Sequence, residues 1–259
     1  MTDVIIDDRD GVRTVTLDRP GSRNGLTLEV VRQLRDAVRD APAPVRVIVM
    51  TGANGSFCSG LDLKDAMQRG PRPPGEVEQG LREDFHGLIR GLIESPRPTI
   101  AQVDGPAVGF GCDLAMACDF RVVSERAKFG EVFVKRGLMP DGGGTWLLPR
   151  LVGLGRALEL LFTGDLVTAE DAVRIGLANR LIASADIAAT TAELAATIAK
   201  GPPLVHKFVK QAVYAGLSSD VIAGLEREAV GQLTLLASKD FMEGVMAFLQ
   251  KRDPQFKGE

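Results

Sequence analysis

Two stretches place acids beside glycines in a way that suits chemistry on a carbonyl. In the first, Asp104–Asp119, a strand-like run at 99–103 gives way to a turn carrying Gly105, Gly109 and Gly111. The turn then passes into an apolar segment of helical spacing that holds Asp113. Glycines let the chain bend sharply and let a ligand approach the backbone, and the first N–H groups of a helix have no partner inside it. Such a place stabilises negative charge: a phosphate, a carboxylate, or a carbonyl oxygen that becomes an oxyanion during reaction. In the second stretch Asp141 stands between Pro140 and Gly142, directly before an apolar helical pattern. A carboxylate there either caps that helix or works as an acid or base.

These stretches sit in a chain of 259 residues with 45% hydrophobic content, enough for a substantial core. The net charge of −3, with Lys and Arg scattered, removes the usual electrostatic reason to expect nucleic acid or an anionic membrane as partner. Three cysteines without a CxxC pair, and only His86 and His206 as imidazoles, suggest neither a disulfide framework nor a metal site. The N-terminal residues show no signal-peptide pattern and no window is apolar enough to span a bilayer, so a leaderless cytoplasmic protein is expected. Cys58 and Cys112 have no paired His and read as small buried fillers, and neither His is assigned a role.

The elements that must hold the two acids alternate between strand and helix. A hairpin turning at Asp10-Gly11 opens the chain, and a helix capped by Thr27 follows it. Residues 45–51 form a continuous apolar strand of the buried parallel kind, which empties into a loop at 52–55. A Pro/Gly-rich segment at 68–75 reads as an ordinary surface loop or as a loop near an entrance, and one helix is expected over 77–93. Beyond residue 155 the spacing is helical at 155–163, 168–175, 186–200, 204–215, 219–236 and 239–250.

The run Phe57–Leu63, the run Val103–Asp119 and the run Pro140–Arg150 together resemble the crotonase (enoyl-CoA hydratase/isomerase) superfamily, over essentially the whole chain. The resemblance implies an α/β fold: a crotonase (ClpP-like) spiral of ββα turns over residues 1–200, with a helical C-terminal trimerisation region over 201–259. It further implies an acyl-CoA thioester as substrate, with coenzyme A part of that substrate and no separate cofactor, and a homotrimer or homohexamer. By motif position the backbone N–H groups of Leu61 and Phe110 map to the pair that binds the thioester oxygen. The CoA contacts map to Arg23, Ser59, Gly60 and Asp62, with Arg23 equally read as a solvated surface charge, and Lys251 and Arg252 reach a neighbouring subunit's CoA or remain surface charges. Phe110 stands where the family usually has glycine, so its ring is placed to narrow the acyl pocket.

Hydratases of this family hold water between two glutamates; here those positions carry Asp113 and Phe133. A phenyl ring neither accepts a hydrogen bond as a carboxylate does nor moves a proton, so two-carboxylate hydration is disfavoured. Asp141 matches the catalytic aspartate of family isomerases, and the sequence around it is most similar to the ring-1,2-epoxyphenylacetyl-CoA isomerase branch. The leading expectation is an enoyl-CoA isomerase with Asp141 as acid/base, lined by Phe133, Leu138 and Trp146. Glu131 keeps a hydratase open, since an extended backbone would point it to the same side as Phe133. Asp113 is either a second acid or a bond to the backbone of its own helix. A third expectation is a family member that binds acyl-CoA without catalysis.

Overall fold

The Asp10-Gly11 pair adopts positive φ at both residues (49° and 78°), the geometry that folds a tight hairpin with the native strand twist. It joins β1 (Val4–Arg9) to β2 (Val12–Leu17) in a computed structural model that describes residues 2–259. Then come α1 (Leu28–Arg39), β3 (Val47–Gly52), α2 (Leu63–Arg69), α3 (Pro74–Gln79), a π-helical turn over Gly80–Phe85, and α4 (His86–Glu94). The central part holds β4 (Thr99–Val103), β5 (Pro106–Val108), α5 (Phe110–Ala117), β6 (Phe120–Ser124) and β7 (Lys128–Gly130). Beyond a 3-10 turn at Val132–Arg136 lie α6 (Gly144–Val152), α7 (Leu154–Thr163), β8 (Val167–Thr168), α8 (Ala169–Arg174), β9 (Arg180–Ile182) and α9 (Ile187–Ala199). Three helices close the chain: α10 (Pro203–Gly216), α11 (Val221–Leu236) and α12 (Lys239–Gln250). None of the helices among the described residues is long and apolar enough to cross a membrane.

The large sheet runs β1-β2-β3-β4-β6-β9, antiparallel only at its first pair. Its central strands β3, β4 and β6 are apolar on both sides because both faces are covered there. Ile48, Met50, Ala101 and Val123 join Val31, Leu34, Leu88, Leu92 and Leu114 in one core. Val47, Val49, Ile100 and Val122, one residue out of phase, pack against Ile187 and Ala195 of α9 in another. A small second sheet, β5-β7-β8, brackets the Gly109 turn.

Residues 77–93 are not the single regular helix that the spacing predicts. The segment starts at Pro74 and carries one wide turn at Gly80–Phe85. Buried Asp84 in that turn binds Arg35 of α1 at 2.6 Å and Arg32 at 3.2 Å, while Leu81 and Phe85 face a pocket on the other side. The wider turn satisfies both demands at once.

The closing helices are tied to the sheet by one buried ion pair. Lys210 of α10 donates to Asp119 at 2.8 Å and to the carbonyl of Leu92 at 2.7 Å, and Asp119 also accepts from the Thr99 amide and the Tyr214 hydroxyl. The side chains are only 6% and 14% exposed. Removing one partner strands the other charge, so Lys210→Met is expected to cost about 3–5 kcal/mol in urea unfolding. Early proteolytic release of α10–α12 would mark the place of the damage.

Candidate active site

Two turns meet over β5. The carbonyl of Cys58 accepts from the Val108 amide at 3.0 Å, and Gly60 backs onto the start of α5 so closely that a Cβ there would lie 2.8 Å from the Val108 oxygen and 3.3 Å from the Phe110 nitrogen. Gly60 also has φ +80°, a conformation side chains avoid. Leu61 follows it, held between Leu26 and Asp62 by the bonds Leu26 N–H to Gly60 O (2.8 Å) and Asp62 N–H to Leu26 O (2.9 Å). Gly109, at φ 55°, begins α5 without any side-chain cap. Leu61 and Phe110 thus flank the contact between the two turns, and neither amide donates to an acceptor among the described residues.

A cavity of about 260 Å³ opens in front of them. Its walls include Ser59, Gly60, Leu61, Phe110, Phe133 and Asp141, with Val77, Leu81 and Phe85 from the helix opposite. The Phe110 ring is buried and meets Phe85 edge-on, centroids 4.9 Å apart, so the ring forms a wall of the cavity rather than a plug. Arg72, from the Pro/Gly-rich segment, and Arg136 line the same cavity. Nothing in the spacing singled out these two cations or the helix wall.

Asp141 is the one acid in that lining among the described residues. It does not cap α6: the capping position is Gly143, with no side-chain bond. Its carboxylate has no hydrogen bond from another described side chain. Burial raises its pKa above the ordinary carboxylate value, and the nearby His86 pulls part of the shift back. His86, assigned no role from the sequence, therefore stands beside the site. It lines a separate cavity behind the Asp141 turn together with Gly142, Gly143, Trp146 and Tyr214. Trp146 belongs to that side, under Arg150 at 4.1 Å, and not to the pocket where it was expected.

Asp113 is fully enclosed and its Oδ2 accepts from the Gly142 amide at 3.0 Å, so it bonds the Asp141 turn instead of the backbone of its own helix. Glu131 is buried too. The 3-10 turn that begins at Val132 separates its direction from that of Phe133, and its carboxyl points into the core while Phe133 lines the pocket. Cys58 and Cys112 are buried, and burial holds the Cys58 thiol at a pKa of about 12.

Of the expected CoA contacts, Ser59 and Gly60 line the cavity. The Ser59 hydroxyl donates to the Ser22 carbonyl at 2.8 Å. Asp62 caps α2 through the Asp65 amide and pairs with Arg19 at 3.3 Å, outside the lining. Arg23 is exposed beyond it, and the buried neighbour Asn24 does the structural work, donating to the carbonyls of Ala53 and Ser56. Arg252 is paired with Glu243 at 2.6 Å, and Lys251 ends α12 in a left-handed conformation.

The family profile described as enoyl-CoA hydratase/isomerase matches residues 7–259. A Rhodobacter capsulatus protein named "Probable enoyl-CoA hydratase" is 40% identical over 249 residues, 96% of this chain and 95% of its own. The Escherichia coli 1,2-epoxyphenylacetyl-CoA isomerase is 35% identical over 251 residues, 96% of each. The crystal structure of an enoyl-CoA hydratase from Bacillus anthracis superposes with a TM-score of 0.94 at 32% identity, covering all of both chains. The α/β crotonase fold expected from the motifs is thus borne out, and the isomerase branch is one near relative among several. With a family match from the first hairpin to the last residue, and a fold shared end to end with a solved member, this protein is an enzyme of the enoyl-CoA hydratase/isomerase family.

Proposed function

We propose that the enzyme moves the double bond of an enoyl-CoA thioester, with Asp141 as the proton carrier. The observation that carries this reading is the lone half-buried carboxylate of Asp141 in the same cavity as two unpartnered amides. With a 3-enoyl thioester, Asp141 takes a proton from C2. The C2–H electron pair forms a C1–C2 double bond and the carbonyl π electrons move onto the thioester oxygen, which the Leu61 and Phe110 amides stabilise. Collapse of the dienolate with return of the proton to C4 gives the 2-enoyl product. One base suffices, which fits a pocket where Phe133 replaces a carboxylate and where Asp113 and Glu131 face the core.

Hydration is the second reading, favoured by the name of the Rhodobacter relative. Incubation with 3-enoyl- and 2-enoyl-CoA in deuterated water separates the two. Deuterium at C2 or C4 is the expected result. A 3-hydroxyacyl product would replace isomerisation by hydration, and binding without exchange would leave a non-catalytic acyl-CoA binder. Exposed apolar residues on α11 and α12, among them Val221, Ile222, Leu225, Phe248 and Leu249, support self-association as a trimer or hexamer. Three buried free thiols suit a reducing compartment such as cytoplasm.

A further inference from the structure

Behind the catalytic turn lies an arrangement that the double-bond shift does not use. Asp113 from α5 and Glu131 from the end of β7 are 0% and 2% exposed. Of their four carboxyl oxygens only Asp113 Oδ2 has a hydrogen-bond partner, the Gly142 amide; Asp113 Oδ1 and both Glu131 oxygens have none. The two groups close on the same backbone. A Cβ at Gly144 would lie 2.5 Å from Asp113 Oδ1 and 3.0 Å from Glu131 Oε2, so both oxygens crowd one point that only glycine leaves open.

No Lys, Arg or His among the described residues bonds to either carboxyl. The groups that face them are acidic or neutral. From α5 comes the Cys112 thiol, from the turn Asp141 and the amides of Gly142 and Gly144, and across a cavity of about 10 Å³ Asp165. That cavity is at the lower limit for a single water. Two buried like charges this close cannot both persist without a counter-ion, and buried polar atoms without partners are costly.

We propose that Asp113 and Glu131 form a buried carboxyl pair that holds one proton and positions Asp141 from behind. Asp113 Oδ1–H donates to Glu131, while Asp113 Oδ2 accepts the Gly142 amide and so fixes the residue next to the base. One shared proton pairs Asp113 Oδ1 with one Glu131 oxygen, leaving a single Glu131 oxygen of the three without a partner, and removes one of the two charges. The electrostatics agree in direction. Burial and the neighbouring acids raise Asp113 well above the ordinary range, and burial pushes Glu131 up to about 7. Loss of the shared proton at high pH sets the two carboxylates against each other and loosens the turn. The pair therefore accounts for a falling alkaline limb in the activity profile, opposite in sense to the rising limb of Asp141.

The consequence for activity rests on Asp141 being the base; the pair itself does not, and infrared difference spectroscopy of the full chain reads it without substrate. At neutral pH the wild type is expected to show the C=O stretch of a protonated, buried carboxylic acid. That band should persist in Asp141→Asn and disappear in Asp113→Asn. Glu131→Gln, which keeps shape and whose amide can donate to an ionised Asp113, should likewise remove it and abolish the alkaline limb. Asp113→Asn should lower kcat about 10- to 100-fold with KM unchanged, as for a base moved by a fraction of an ångström. A wild-type protein with no protonated-acid band at neutral pH, or a Glu131→Gln profile identical to wild type, overturns the proposal. An active Asp141→Asn with the band intact would sink the isomerase reading alone.

Discussion

Asp141→Asn is expected to cut 3-enoyl-CoA isomerisation by about 10²–10⁴-fold, the usual contribution of a positioned general base. Asparagine keeps the size of the side chain but cannot take up a proton. Because no other described side chain bonds the carboxylate, the thermal midpoint should stay near that of the wild type. The sign of the pH dependence follows from the raised pKa of Asp141. The base must be ionised to act, so the rate should climb with pH through that ionisation, later than for a free aspartate. Stopped assays across pH with wild type and variant test both parts. Wild-type rates in the variant would remove Asp141 from the chemistry.

Gly111→Ala should damage stability and rate together. A Cβ at Gly111 would collide with the Cys58 carbonyl oxygen and lie 2.8 Å from the Cys58 side chain. The closest obstacle is backbone, held by the Val108 amide, so it cannot swing aside. Overpacking at such a place costs about 3 kcal/mol. The strain pushes α5 away from the 57–62 turn and separates the Phe110 amide from that of Leu61. Losing one oxyanion donor typically lowers kcat by about 10²–10³-fold. Urea unfolding and kcat measured on the same sample should fall together. A destabilised variant with wild-type kcat would show that the Phe110 amide is not a donor in the reaction.

Local chemistry made much of this legible in the sequence. Asp10-Gly11 has no low-energy alternative to a tight hairpin, Thr27 does cap α1 through the Val30 amide, and the late helices begin and end within a residue or two of their spacing. Asp141 was singled out by its place in the family motif, since the bare pattern left a helix cap open, and the structure removes the cap. Direction was not legible. The 3-10 turn after Glu131 carries no marker in the sequence, yet it decides that Phe133 meets the pocket and Glu131 the core. Trp146 was misplaced for a related reason, since the rotation of α6 depends on where the chain enters it, at Gly143 with φ 93°. The wide turn at 80–85 exists because Asp84 answers to two arginines on α1, a tertiary demand that no local window contains. His86 joins the site only once α4 is laid beside the Asp141 turn.

The pocket is built of two walls that differ in what they can change. One is formed at Gly60 and backed, outside the lining itself, by Gly111, Gly142 and Gly144, where backbone presses on backbone or carboxyl and even a methyl group is excluded. On the other, Val77, Leu81 and Phe85 present ordinary side chains from a helix held from behind by Asp84. Inheritance can therefore act on the two walls separately. A lineage is free to exchange residues at 77, 81 and 85, and so explore new acyl groups, while the glycine wall passes the reaction on unaltered. For a laboratory library the same asymmetry says where diversity is tolerated, and it keeps the randomised codons on the helix.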